Sequence, residues 1–291
     1  MNIKKHIPNF LTCCNLLCGC LGIIIALNHD LIIPCYLIFA ACVFDFLDGF
    51  VARLLKVQSP IGKELDSLAD VVTFGVLPGI IIFELFQVKN FPLNLFQLGM
   101  IPEFPLENTT GFQATFLPFI SLLIPIFSAL RLAKFNIDTR QSESFIGVPT
   151  PANAILVASL PMILKPVIQT FMNTTWTIYP PLSALPQSNS MTTMELGPVS
   201  TFILNPVFLS AYCIIMSYLL VAELPLFALK FKHFKWTGNE IRFIFLVLSI
   251  LLLSFLKWLG IPIIIFLYII LSLVDNVILK KSIKTGGDPL K

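Results

Sequence analysis

Four aspartates, Asp45, Asp48, Asp66 and Asp70, lie within one short stretch of the chain. The first two are three residues apart and the last two are four apart, so each pair shares one face of a helix. Four carboxylates at close range repel one another and lose hydration, so they require compensating positive charge. Oxygen donors alone suit hard divalent cations such as Mg²⁺ or Mn²⁺, which keep coordination positions for phosphate. The stretch therefore predicts a site for two divalent cations that hold a diphosphate group.

The elements that carry these acids are apolar enough to cross a membrane. Hydrophobic residues make up 56% of the 291 residues and charged residues only 12%, against roughly 25% charged residues in soluble proteins. Several apolar runs approach or exceed the roughly 20 residues that a spanning helix needs. We predict an all-α, polytopic transmembrane helical bundle of about eight spans. The predicted spans are 8–28, 32–54, 65–87, 115–135, 149–171, 203–224, 241–258 and 260–279.

The basic residues mark one side of the membrane. If the amino terminus lies inside, all of the 19 lysines and arginines except Lys89, Lys165 and Lys257 fall at the inner ends of the spans. The positive-inside rule then predicts that both termini and the aspartates face the cytoplasm. A net charge of +3 gives no support for nucleic-acid binding. The seven cysteines all fall within predicted spans, which argues against the disulfide framework of a secreted protein.

Small and basic residues accompany the aspartates. Gly49 and Gly62 remove side chains where a bulky nucleotide would approach the backbone, and Arg53 would complement phosphate charge. The two predicted helices are joined by a short link, so they are expected to lie antiparallel and bring the four carboxylates together. Ionisable residues within a membrane segment usually have a function, so we interpret the whole stretch as a catalytic or binding site.

The spacing D-x2-D-G-x2-A-R-x8-G-x3-D-x3-D resembles the signature of the CDP-alcohol phosphotransferases, which are membrane enzymes of phospholipid biosynthesis. The resemblance runs from IPNFLT through GVPTPANA. It implies a six-helix core plus two C-terminal spans. We predict a catalytic membrane domain over residues 1–202 and additional C-terminal transmembrane helices over 203–291. The signature is complete here as Asp45, Asp48, Gly49, Ala52, Arg53, Gly62, Asp66 and Asp70.

The resemblance also implies a role for each residue. Asp45 and Asp66 would bridge two metal ions, with Asp48 completing the ligands of one ion and Asp70 those of the other. Asp70 would double as the general base that takes the proton of an acceptor hydroxyl. The donor, CDP-diacylglycerol, would be contacted by Asn9, Thr12, Gly49, Ala52, Arg53, Ser59 and Gly62.

A second stretch, SALRLAKFNIDTRQSESFIGVPTPANA, bears on the acceptor. Together with IPNFLTCCNLLCGCLGI it resembles the bacterial and archaeal phosphatidylserine synthases, which implies L-serine as acceptor and a prokaryotic plasma membrane as location. The resemblance also allows a homodimer within the membrane lipids. The candidates for serine binding are Arg131, Lys134 and Asn136. The two cations could bind the serine carboxylate, or they could anchor a helix end by snorkelling.

Two alternatives remain open at this point. Glycerol 3-phosphate or inositol phosphate would also need cations, so charge alone does not separate these acceptors from serine. A membrane cation transporter could use the acids as its ion site, but it would be expected to have polar or broken helices across the bundle midplane. Here the acids gather at one face, and residues 203–279 show no recognisable chemistry.

Overall fold

The computed structural model describes residues 6–57, 60–97, 116–137, 144–169, 197–227 and 239–274. A π-helical turn, Val71–Val76, joins α3 to α4, and a 3₁₀ turn, Leu117–Leu122, leads into α5. Strands β1 (Ser144–Ile146) and β2 (Pro225–Phe227) pair antiparallel. The helices are α1 (His6–Leu27), α2 (Ile32–Leu54), α3 (Pro60–Asp70), α4 (Leu77–Gln97), α5 (Leu123–Ile137), α6 (Thr150–Ile163), α7 (Pro198–Ile203), α8 (Pro206–Val221), α9 (Glu240–Leu256) and α10 (Gly260–Leu273).

The helices confirm an all-α polytopic membrane protein. Within the described part of the chain, 5 helical segments are long and apolar enough to span a membrane, and two shorter apolar helices, Thr150–Ile163 and Pro206–Val221, accompany them. A helix lies at each of the eight predicted positions, while the number of spans stays a prediction. The long segments are His6–Leu27, Ile32–Leu54, Pro60–Val88, Leu117–Ile137 and Ile241–Leu273.

The last of these segments folds back on itself. A 3₁₀ turn, Lys257–Leu259, separates α9 from α10, and Lys257 has a positive φ of 50°. The ring centroids of Phe245 and Tyr268 lie 5.7 Å apart across this turn, which shows that α9 and α10 run antiparallel. The predicted division of this region into two helices is therefore confirmed.

Helix α1 is the element against which the functional region is assembled. Asp30 Oδ1 accepts the N–H groups of Ile32 and Ile33, so the turn after α1 caps the start of α2. On its other side α1 packs closely against the start of α4, where a Cβ at Gly22 would lie 2.5 Å from a methyl group of Leu77. The missing side chain at Gly22 lets α1 and α4 pack closely.

Two helix boundaries and one strand pair differ from the sequence-based expectation. Helix α3 begins at Pro60 rather than near residue 65, because proline needs no N–H partner in the first turn of a helix. Gly62, Asp66 and Asp70 therefore share one helix. Helix α4 continues to Gln97, ten residues beyond the predicted end of that span. The strand pair was not predicted, since three-residue strands leave little periodicity in a sequence.

Candidate active site

A cavity of about 570 Å³ opens between the first turns of α1, the last turns of α2 and the first turns of α3. This volume lies within the range of small-molecule binding sites. The hairpin of α1 and α2 forms one wall, and α3 forms the other. The lining residues are Pro8, Asn9, Thr12, Asp48, Gly49, Ala52, Val57, Pro60, Gly62, Lys63 and Asp66.

Three of the four aspartates form a cluster beside this cavity. One carboxylate oxygen from each of Asp45, Asp48 and Asp66 lies within 4.8 Å of the others. Asp66 Oδ1 is buried and has no hydrogen-bond partner among the residues that the structure describes. Three oxygen donors this close, one of them unpartnered, fit a hard divalent cation. The structure thus brings together the residues of a candidate metal centre.

Asp70 is held apart from this cluster, at the end of α3, and is only 8% exposed. The side-chain amide of Asn15 donates to Asp70 Oδ1 at 3.2 Å. The backbone carbonyl of Asn15 accepts a bond from Thr73 Oγ1 at 3.1 Å. Asn15 therefore fixes the orientation of the Asp70 carboxylate and joins α1 to the turn that follows α3.

Sequence reasoning missed Asn15, although its position carried a signal. Asn15 lies three residues after Thr12 and so shares its face of α1. Asn9 and Thr12 were predicted to contact the donor. The next residue along the face of Thr12, one turn further, is Asn15. Both side chains are buried in the structure, Thr12 at 3% and Asn15 at 0% exposure.

Thr12 and Asn9 occupy different places around the cavity. Thr12 Oγ1 donates to Asp48 Oδ2 at 2.6 Å, so it orients one carboxylate of the cluster. Asn9 is partly buried and lines the cavity one turn earlier. Thr12 thus reaches a predicted metal ligand directly, whereas its predicted contact with the donor remains a prediction.

The other residues predicted to contact the donor divide into two groups. Gly49, Ala52 and Gly62 line the cavity, and a Cβ built at Gly49 would meet nothing within 4 Å. Gly49 therefore faces open space, as the approach of a bulky ligand requires. Arg53 is exposed and is absent from the described lining of the cavity. Ser59 lies outside the residues that the structure describes.

Of the candidates for acceptor binding, Asn136 and Lys134 lie toward the end of α5. The side-chain amide of Asn136 donates to Ser67 Oγ at 2.8 Å, and the backbone carbonyl of Asn136 accepts a bond from Lys63 Nζ at 3.3 Å. Asn136 therefore ties the end of α5 to α3, and it holds Lys63, which lines the cavity and was not predicted. Lys134 is exposed.

Arg131 is the buried cation of this region, at 8% exposure. Its Nη1 donates to Thr150 Oγ1 at 3.4 Å, and its guanidinium carbon lies 5.9 Å from the ring centroid of Phe135. Its Nε has no partner among the described residues. A snorkelling side chain reaches water, so burial favours a binding role over helix anchoring.

The site and the fold agree with the outcome of comparison with known proteins. A family model for the CDP-alcohol phosphatidyltransferases matches residues 5–180, so the chain belongs to this family. The resemblance identified in the sequence is thereby confirmed.

Three relatives give the family a finer context. The CDP-diacylglycerol–serine O-phosphatidyltransferase of Helicobacter pylori is 40% identical over 152 residues, which are 52% of this chain and 54% of the relative. The Bacillus subtilis protein of the same name is 32% identical over 168 residues, 56% of this chain and 80% of the relative. The archaetidylserine synthase of Methanothermobacter thermautotrophicus is 30% identical over 167 residues, 55% of this chain and 61% of the relative. The match thus spans about half of the Helicobacter relative.

Proposed function

We propose that this membrane protein transfers the phosphatidyl group of CDP-diacylglycerol to the hydroxyl of L-serine and releases CMP. The observation that carries the proposal is the cluster of Asp45, Asp48 and Asp66, with oxygens within 4.8 Å of one another beside a cavity of nucleotide size. Family membership supports the donor. The names of the relatives support serine as the acceptor.

The aspartate cluster would hold divalent cations, Mg²⁺ or Mn²⁺. Asp45, Asp48 and Asp66 offer the ligands of one ion, and Asp70 would join Asp45 and Asp66 around a second. Bound there, the cations would neutralise the diphosphate of the donor. The open space at Gly49 would admit the cytidine diphosphate, and Lys63 would add positive charge at the cavity wall. The diacylglycerol chains would stay among the membrane lipids.

Asp70 would act as the general base. The serine hydroxyl oxygen forms a bond to the phosphorus that carries diacylglycerol, and the hydroxyl proton passes to Asp70. The bond between that phosphorus and the bridging oxygen breaks, and CMP leaves with the electron pair. The Asn15 amide holds Asp70 Oδ1, so the carboxylate keeps one orientation during proton transfer. Arg131, which is buried and donates to Thr150, would bind the serine carboxylate.

The distribution of basic residues supports a cytoplasmic location for this chemistry, on the side of the membrane where serine is available. Both termini would lie on the same side. A homodimer stays a prediction. Its test is the mass of the purified protein in detergent.

The proposal is tested by CMP release from the detergent-purified protein. The reaction contains CDP-diacylglycerol with Mg²⁺ or Mn²⁺, and either L-serine, glycerol 3-phosphate, inositol phosphate or no acceptor. We expect release that depends on L-serine and is lost in Asp70→Asn. Release with another alcohol alone would retain the donor chemistry and exclude serine. Metal binding without release from any acceptor would favour the transporter alternative.

A further inference from the structure

A buried polar contact joins α6 to α8. Helix α8 lies beyond the part of the chain that the family model matches. Tyr212 Oη on α8 donates to Asn153 Oδ1 on α6 at 2.8 Å. Tyr212 is 7% exposed and Asn153 is 0% exposed. The family model ends at residue 180, so Tyr212 is not part of the recognised catalytic region. An apolar pair would fill the same space without any need for hydrogen-bond partners.

Asn153 lies on the face of α6 that carries the partner of Arg131. Thr150 accepts the bond from Arg131 Nη1, and Asn153 follows it by three residues, which places both on one helix face. Asn153 Nδ2 has no hydrogen-bond partner within the described residues. Burying an amide nitrogen without a partner lowers stability. Packing alone therefore does not explain an asparagine at position 153, whereas a role in positioning this face of α6 does.

The carboxyl end of α8 and the residues that follow it also hold the loop from which α6 begins. The N–H of Gly147 donates to Leu224 O and the N–H of Val148 donates to Leu219 O, both at 3.0 Å. Gly147 has a φ of +76°, and a Cβ there would lie 2.5 Å from Leu220 O. The loop can approach the α8 carbonyls only because this residue is glycine. Two independent sets of contacts thus make α8 the support of Thr150.

We infer that α8 sets the acceptor selectivity of the enzyme, with Tyr212 as a positioning residue. Tyr212 fixes Asn153 and thereby the face of α6 on which Thr150 holds one nitrogen of the Arg131 guanidinium. The unpartnered Nε of Arg131 is then presented in one orientation, suited to a carboxylate. This inference rests on the proposed transfer to serine. It assigns a function to a helix for which the sequence predicted none.

The test compares L-serine with serinol, which keeps the amine and hydroxyl groups but lacks the carboxylate. Tyr212→Phe removes one hydrogen bond, and a single hydrogen bond corresponds to about a five-fold change in binding. We expect KM for L-serine to rise about five-fold, with kcat and KM for CDP-diacylglycerol unchanged. The ratio of kcat/KM for L-serine to that for serinol should fall by the same factor. Tyr218→Phe is the matched control, because Tyr218 lies on α8 and is 67% exposed.

A second pair of variants tests the loop contact independently. Gly147→Ala is expected to lower the same ratio, whereas Gly197→Ala should not, since a Cβ at Gly197 meets nothing within 4 Å. An unchanged ratio in Tyr212→Phe would overturn the inference, and so would an equal loss with both acceptors, which indicates a general structural defect. If the unmodified protein releases no CMP in response to L-serine, the proposed function itself fails and the inference falls with it.

Discussion

Glu84 and the cluster of Asp45, Asp48 and Asp66 are carboxylates set among apolar helices, at opposite ends of the same bundle. Glu84 is 5% exposed and contacts His29 Nδ1 at 2.8 Å, beside the turn between α1 and α2. The aspartates lie where α1 begins and α2 ends. In the described part of the chain, no lysine, arginine or histidine forms a salt bridge with the three aspartates.

The two sites differ in how the carboxylate charge is compensated. Among the described residues, Glu84 has a basic partner and the aspartate cluster has none. A buried carboxylate is costly unless it is paired. Glu84 has a partner within the chain, His29, so the pair can stabilise the fold without a bound ligand. The aspartate cluster has Thr12 as a hydrogen-bond donor but no cation of its own, which favours charge compensation by bound metal. The comparison therefore predicts opposite effects of substitution at the two sites.

The largest effect is expected from Asp45→Asn. Removing one charged ligand of the cluster weakens cation binding and the electrostatic stabilisation of the transition state, which is worth several kcal/mol. Serine-dependent CMP release should fall by about 1,000-fold, measured as initial rate at saturating substrates. Glu84→Gln is the matched control and should retain activity within about three-fold. A comparable loss in both variants would remove the distinction between the two acidic sites.

Divalent cations should stabilise the folded protein through the aspartate cluster. At a concentration about 100 times Kd, a ligand of the native state adds about 2.7 kcal/mol of stability. The apparent Tm should rise when Mn²⁺ is added to chelator-treated protein, as followed by intrinsic tryptophan fluorescence. Asp45→Asn should lose this response and Glu84→Gln should keep it. An equal rise in the two variants would locate the cation elsewhere.

The sequence predicted the helical class and the four aspartates because both depend on local patterns. The length of an apolar run indicates a membrane span directly. Asp45 and Asp48, like Asp66 and Asp70, share a helix face wherever the helix boundaries are drawn. The contacts between distant segments were not accessible in this way. Asn15 reaches Asp70 across 55 positions of sequence. Its place on the same helix face as Thr12 marks it as a candidate site residue but does not indicate Asp70 as its partner.

Arg131 and Arg53 show the same limit for individual side chains. Both were predicted to bind anionic groups, yet Arg131 is buried beside Thr150 whereas Arg53 is exposed. They have the same residue type, and each lies in the second half of its helix. Burial depends on which helix packs against each face, and that information lies in α6 and α8. The contact of Tyr212 with Asn153 could not be predicted from the sequence for the same reason.

The hydrogen bond from Thr12 to Asp48 offers a smaller test of the aspartate site. Thr12→Val keeps the shape of the side chain and removes the hydroxyl that orients the carboxylate at 2.6 Å. A hydrogen bond to a charged group is worth about 1.5–3 kcal/mol, so kcat should fall at least about ten-fold. Thr12→Ser restores the hydroxyl and should recover most of the activity. If Ser and Val variants are equally impaired, packing of the threonine methyl rather than the hydrogen bond supports the site.

The smallest effects on activity are expected at the pair of His29 and Glu84, where the test is one of stability. His29→Ala leaves Glu84 buried without this partner, which should destabilise the protein by about 1–3 kcal/mol and lower its Tm in detergent. Activity below the transition should stay within about two-fold, because the pair lies far from the cavity.

A double variant distinguishes a paired acid from an acid that serves a ligand. Replacing both members of a buried polar pair by apolar groups can be nearly neutral, so His29→Ala combined with Glu84→Leu should regain most of the lost stability. The coupling between the two substitutions, measured by a double-mutant cycle, should be about 1 kcal/mol. If the two losses simply add, Glu84 makes its stabilising interaction with a group other than His29. In that case the contrast with the aspartate cluster would no longer rest on a partner supplied by His29.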